Sequence, residues 1–283
     1  MTETLDRRIP LVTVPNLRTL GGLPVAGGTV AQGLLFRSAT LGAVSPVDGE
    51  ALVGLGIRRV VDFRTAGERR SAPDRLPAGV EGVDLDVLGD HARDLSASLA
   101  HLGMPGDEGR GEVTEEQLVA IRAKMSERLG DGRGVKILQD SNRLIVSSDS
   151  AITAFRGFYE ALTEPGDYAP TLFHCTTGKD RTGWAAASFL LLLGADEETA
   201  MADYLQTNVD ILPMIEPMLE RAERNGVDSS LIKPVLTVHE SMLQAAFDEM
   251  RERFGSIEGY FVRGLGLTEG RLAALADRFV AKA

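Results

Sequence analysis

The chain has 283 residues, of which 43% are hydrophobic and 25% charged, and its formal net charge is −11. This composition is that of a globular protein with room for one large domain or two small ones, and it excludes disordered and fibrous classes. The negative balance argues against nucleic acid and anionic membrane surfaces as bulk partners, because both reward a positive face. Any anion site must therefore make its positive potential locally.

One cysteine, Cys175, excludes an internal disulfide and a Cys-rich zinc site. His91, His101, His174 and His239 fall in no metal-ligand spacing, so neither a metal nor another cofactor is implied. The longest apolar run, residues 184–193, is too short to span a bilayer. Residues 1–10 carry charges and lack the apolar region of a secretory signal. The expectation is a soluble, cytoplasmic chain, with export by a route that uses no cleaved signal left open.

Along the chain the pattern is mixed α and β, with no repeats and no linker. Residues 34–37 read as a short strand. Ser45 followed by Pro46 is an N-cap with proline at N1, opening a helix that Gly56 closes. Residues 57–63 form a β-rich run and predict a buried strand, and Asp62 and Arg64 follow at its end. Those two side chains either brace a site or form a surface ion pair. Residues 83–88 alternate apolar residues with Asp84 and Asp86 and predict a half-exposed strand.

Residues 91–148 are less regular. Gly103, Gly106, Gly109 and Gly111 predict a flexible stretch. Thr114 and Gln117 then form a capping box before a helix striped by Leu118, Ile121, Met125 and Leu129. Residues 150–162 predict a helix, residues 171–174 a strand, and residues 182–193 a helix closed by Gly194. The remainder reads as helical to the end, interrupted at Pro213, Pro217 and Pro234. Strands followed by helices predict an α/β domain with a helical C-terminal layer.

The informative segment is His174-Cys175-Thr176-Thr177-Gly178-Lys179-Asp180-Arg181-Thr182-Gly183, which joins a predicted strand to a predicted helix. Successive backbone N–H groups in such a loop, with a helix N-terminus behind them, suit an anion. Gly178 permits a backbone conformation that a side chain would obstruct. Arg181 offers a planar fork for two phosphate oxygens. Those groups together favour a thiolate on Cys175, and the thiolate is the nucleophile. Attack on phosphorus would give a phosphocysteine that water hydrolyses. Thr182 is placed to donate its hydroxyl to the sulfur, and His174 to orient the loop. Singly, each residue also suits a plain role: a buried cysteine, a helix start, a core histidine.

This loop resembles that of the cysteine-dependent protein tyrosine phosphatases. Its Gly-Lys-Asp-Arg-Thr-Gly form is similar to bacterial members of the mycobacterial protein-tyrosine-phosphatase-B type. Further blocks match in order: Asn16-Leu17-Arg18-Thr19 (with Thr19 where aspartate is usual), Phe36-Arg37-Ser38, Asp62-Phe63-Arg64-Thr65 with Glu68, Asp203-Tyr204 with Asn208, and Phe254-Gly255-Ser256 with Tyr260. The resemblance implies a single phosphatase domain over residues 1–283, with residues 91–148 as a variable insertion. Its fold would be a central, mainly parallel sheet flanked by helices, with a helical lid over about residues 209–250.

It also implies a monomer acting on phosphotyrosine, phosphoserine or phosphothreonine in proteins, or on phosphoinositides. Thr176, Thr177, Gly178, Lys179 and Arg64 would contact phosphate or substrate. Lys179 either holds an acidic headgroup or is a solvated surface lysine. The Trp-Pro-Asp acid loop of many tyrosine phosphatases is missing, because the one tryptophan, Trp184, lies in the helix. Asp180, inside the loop, and Asp90, after the residue 83–88 strand, compete to be the general acid. The resemblance favours Asp180.

Overall fold

The computed structural model describes residues 7–91, 115–164, 166, 168–224 and 226–282. The predicted glycine-marked stretch and Thr114 of the capping box lie outside the described residues.

A five-stranded sheet runs in the order β1-β4-β7-β5-β6, where β1 is Arg18–Thr19, β4 Leu35–Ser38, β5 Arg59–Asp62, β6 Glu81–Asp84 and β7 Thr171–His174. β1 is antiparallel to β4, and the other pairings are parallel. Side chains alternate across it, as the two-residue period requires. Leu35, Val61 and Phe173 point to one buried cluster, and Phe36, Val60 and Leu172 to the other.

The thinner face is covered by α1 (Pro46–Gly54). Ser45 caps that helix by accepting from Asp48 N at 3.1 Å, with Pro46 at N1. The thicker face is covered by α4 (Arg133–Ser147), α5 (Asp149–Leu162), α6 (Asp180–Leu192) and α9 (Glu240–Phe254). Phe63 meets Phe158 edge-on at 5.3 Å there. α6 is buried from Arg181 to Leu190, the mark of a core helix. A second sheet of β2 (Pro24–Val25), β3 (Gly28–Val30) and β8 (Val280–Lys282) is antiparallel.

Several expectations change. The strand expected at residues 83–88 is β6 and ends at Asp84; Val87 and Leu88 turn inward to the core instead. The chain does not stay helical to its end, because β8 follows α10 (Glu269–Phe279) and pairs with β3. Pro213 and Pro217 do not interrupt a helix: both lie within α7 (Glu197–Arg224). They are exposed and four residues apart, so the carbonyls they leave unpaired are on the solvent side. The irregular region contains α3 (Glu115–Leu129) and α4, and α4 buries Leu138, Asn142, Ile145 and Val146.

A separate apolar cluster joins Met125 and Leu129 of α3 to Ala222 of α7, Val227, and Ile232 of α8 (Ser229–Leu236). Met242 and Met250 belong to the main core, whereas Met214 is exposed. Among the described residues, no helix is long and apolar enough to cross a membrane.

A buried ion cluster fastens α7 to the sheet. Asp203 of α7 lies 2.8 Å from Arg7, 3.1 Å from Arg18 of β1 and 2.6 Å from Arg37 of β4. Burial pushes the Asp203 carboxyl up, but Arg18, Arg37 and Arg7 outweigh it and hold it far below the usual carboxylate range. Burial and the neighbouring Arg18 bring Arg37 down to about 10 against the pull of Asp203.

Removing one partner of such a cluster strands the others, so Asp203→Asn is expected to cost about 3–5 kcal/mol of unfolding free energy. Because the folded-state carboxyl is depressed, its contribution is complete above the ordinary carboxylate value of about 4 and fades as pH falls below it. Urea unfolding between about pH 7 and about pH 3 should therefore show a shallower acid loss in the variant than in the parent. A variant within about 1 kcal/mol of the parent at neutral pH would contradict the cluster's structural role.

Candidate active site

β7 is central, and its C-terminal end is where parallel sheets carry sites. Ser38 of β4 and Asp62 of β5 pair in register with His174, one on each side. Residues just beyond these positions therefore surround Cys175. The chain then runs through the predicted loop and enters α6 at Asp180.

Every carbonyl from Cys175 to Lys179 is turned away from the loop's interior and bonded to the framework. Cys175 O lies 3.0 Å from His174 Nδ1, and Thr176 O accepts from Thr40 N at 3.1 Å. Thr177 O and Gly178 O both accept from Asn16 Nδ2, at 3.0 and 3.1 Å. Gly178 O also accepts from Arg37 at 2.7 Å, and Lys179 O accepts from Gly183 N at 2.6 Å. Among the described residues, the N–H groups of Thr176, Thr177, Gly178, Lys179, Asp180 and Arg181 form no internal hydrogen bond. The loop is a cup of free donors at a helix N-terminus, a geometry suited to an anion.

Gly178 is required for this shape. Its φ is +67°, and a Cβ there would lie 2.4 Å from Ser38 O. Asn16, itself left-handed at φ +60°, is held by Arg18, whose guanidinium also grips Asp203. The ion cluster and the loop are thus one connected network.

Cys175 sits at the base of the cup, 2% exposed. Arg181 is gripped by Glu68 in a two-point pair, at 2.7 and 2.8 Å. Burial works against its charge, but Glu68 and Cys175 outweigh burial and keep it protonated. Burial pushes the Glu68 carboxyl up, but Arg181, Thr176 and the Thr65 backbone hold it well below the usual range. Glu68 is fixed in turn by a capping box at the start of α2 (Ala66–Ser71), where Thr65 N donates to it at 2.8 Å. Thr182 Oγ1 is buried with no hydrogen-bond partner among the described residues, so its proton is uncommitted.

The other expected residues take up distinct places. His174 is fully buried, with Nε2 2.9 Å from Asp74 Oδ2. Arg64, expected to contact phosphate or substrate, is buried. Its guanidinium donates to Asp62, Thr40 Oγ1 and the Ala72 carbonyl, at 2.7, 2.8 and 2.8 Å, and pairs with Asp74 at 2.8 Å. Four of its N–H groups are thereby hydrogen-bonded, and Asp74 adds an ion pair. Buried with Asp62, it forms an internal brace rather than a surface pair. Asp62, Asp74 and His174 bring three ligand-type atoms together, but Arg64 already supplies the positive charge between the two carboxylates.

Lys179 is buried, not a solvated surface lysine, and donates to Val235 O of α8 at 2.9 Å. Burial lowers its pKa, opposed by Asp180 and Cys175. Asp90 is exposed and accepts from Ser150 N at 2.7 Å, which ties it to the start of α5. Asp180 Oδ1 accepts from Tyr204 at 3.2 Å and from Asn142 at 3.3 Å.

Sequence reasoning assigned no role to Glu68, Asn16, Arg18, Arg37 or Asp203, although all five lie in the matched blocks. Asn142 and Asp74 carried no motif at all.

The family model described as "Tyrosine phosphatase family" matches residues 9–281. A Cupriavidus necator protein bearing the name tyrosine-protein phosphatase is 32% identical over 250 residues, covering 88% of this chain and 80% of that one. The triple specificity protein phosphatase PtpB of Mycobacterium tuberculosis is 28% identical over 251 residues, covering 84% and 87%. The crystal structure of P. aeruginosa TpbA aligns over 89% of this chain and 92% of that chain at 15% identity, with a TM-score of 0.37, a likeness too loose to add to the assignment. A family match running from the first described strand to the last is decisive: this chain belongs to the tyrosine phosphatase family and is a phosphatase.

Proposed function

We propose that the chain hydrolyses phosphate monoesters, phosphotyrosine foremost, through a phosphocysteine on Cys175. One observation carries the reading: a cup of six uncommitted N–H groups, its carbonyls all bonded outward, closes around the only cysteine. A phosphoryl group seated there has its equatorial oxygens among those donors and Arg181. Sγ attacks phosphorus, and the P–O bond to the leaving group breaks with its electron pair. Asp180 gives that oxygen a proton. Water then attacks phosphorus, Asp180 takes the water's proton, and the S–P bond returns its electrons to sulfur. The Thr182 hydroxyl is free to stabilise the sulfur as it leaves. Asp90 is occupied at α5, which favours Asp180 as the acid.

The reading extends to phosphoserine, phosphothreonine and phosphoinositides. The name of the mycobacterial relative supports breadth, and Lys179 supports an acidic headgroup once it releases Val235. α8 then acts as the cover. Its Ile232 lies in the small cluster, its Val235 also packs against the main core, and Lys179 joins the Val235 carbonyl to the loop. Paired rates on phosphopeptides and phosphoinositides measure the breadth.

Cys175→Ser should abolish release of p-nitrophenol from p-nitrophenyl phosphate, without added metal, while vanadate still binds. Turnover within about tenfold of the parent would sink the nucleophile assignment. Arg181→Lys should lower kcat/KM on the order of a hundredfold or more, because an ammonium cannot reproduce the fork. For the cover, amide exchange across Ser229–Leu236 should exceed that of β7 in the free enzyme and slow when vanadate binds. Protection in the free enzyme equal to that of β7 would count against a mobile α8.

A further inference from the structure

Asp180 is the first residue of α6, and two elements distant in sequence converge on one of its oxygens. Tyr204 OH of α7 reaches Oδ1 at 3.2 Å, and Asn142 Nδ2 of α4 reaches it at 3.3 Å. Asn142 is 1% exposed, and its Nδ2 also donates to Leu138 O at 2.9 Å. That second bond fixes the amide's orientation, since the reverse would set two oxygens face to face. Tyr204 is equally constrained. A Cβ at Gly183 would lie 2.7 Å from two of its ring carbons, so the ring keeps its place only because residue 183 is glycine. Burial first, and the charge on Asp180 second, raise the Tyr204 pKa well above its ordinary value, so the phenol remains a donor. Asp180 Oδ2 has no hydrogen-bond partner among the described residues, and the residue is half-buried. Around it lie Lys179, Arg181 and Cys175 from the loop and Tyr204 from α7.

We infer that Tyr204 and Asn142 are positioning residues that hold Asp180 Oδ1 as an acceptor and so assign the transferable proton to Oδ2. This rests on the reading of Asp180 as the general acid. A carboxylic acid accepts at its carbonyl oxygen and donates from its hydroxyl oxygen. Two donors on Oδ1 make it the carbonyl oxygen, so the hydroxyl is on Oδ2. When the P–O bond to the leaving group breaks, the Oδ2–H bond breaks with it and the proton passes to the leaving oxygen. The carboxylate that remains is stabilised by the same two donors, because hydrogen bonds to a charged acceptor are the stronger ones. It then takes the proton of the attacking water. The acid is thus fixed by two core helices instead of being delivered by a movable loop. Gly183 and Tyr204, matched separately in the sequence, serve one contact.

The test is leaving-group dependence. Tyr204→Phe keeps the ring against Gly183 and deletes only the donor. It should slow phenyl phosphate about tenfold or more and p-nitrophenyl phosphate far less, since the activated leaving group needs little protonation. The basic limb of the kcat profile should move with it. In an Asp180→Asn background the same change should add almost nothing on phenyl phosphate. Asn142→Leu should behave alike where its melting temperature matches the parent, and if it misfolds Tyr204→Phe decides alone. Equal losses on both esters, or an undiminished loss in the Asp180→Asn background, would overturn the inference. If Asp180→Asn itself shows no selectivity between the esters, the acid assignment falls. If Asp180→Asn is selective and Tyr204→Phe is not, the positioning role alone falls.

Discussion

The outward bonding of five consecutive carbonyls, Cys175 to Lys179, is the constraint on which the site depends. A peptide unit points its N–H opposite to its C=O, so fixing the carbonyls on the outside fixes the amides on the inside. Asn16, Arg37, Thr40, His174 and the first turn of α6 do this from different directions.

That arrangement explains why so many charges are buried beside the site. Arg37 must reach Gly178 O, and a lone guanidinium in the interior is costly. Asp203 neutralises it and shares its carboxylate with Arg18 and Arg7, and Arg18 in turn orients Asn16. On the opposite flank, Glu68 aligns Arg181 while Asp62 and Asp74 absorb Arg64. Each of these arginines has a carboxylate, and with a net charge of −11 the proposed anion site would draw its attraction from oriented amides and Arg181, not from the surface.

Much of this was legible in the sequence because it is local. The spacing from Cys175 to Arg181, the glycine between them and the strand-to-helix junction are properties of ten consecutive residues. The Ser45-Pro46 cap is likewise contained in its own turn. What was not legible depends on partners far along the chain. α4 escaped because polar Ser141 and Asn142 interrupt its apolar stripe, yet they are buried, and Asn142 bonds Asp180 across 38 positions. Arg64 and Lys179 read as substrate contacts from their place near the loop. The structure pairs Arg64 with Asp74 and bonds Lys179 to Val235, partners that no spacing rule connects to them. Pro213 and Pro217 read as breaks because propensity ignores the packing that holds α7 at Tyr204, Thr207 and Ile211.

Chemistry at Cys175 is the claim on which the account stands, and the direct measurement is rapid-quench mass spectrometry during turnover. The enzyme is mixed with excess p-nitrophenyl phosphate, quenched in acid within the first turnover and digested, and the peptide holding Cys175 is weighed. The account predicts a phosphoryl group on Cys175 that forms with the nitrophenol burst and disappears as substrate is exhausted. A burst with Cys175 unmodified, or with the phosphoryl group on another residue, would contradict it.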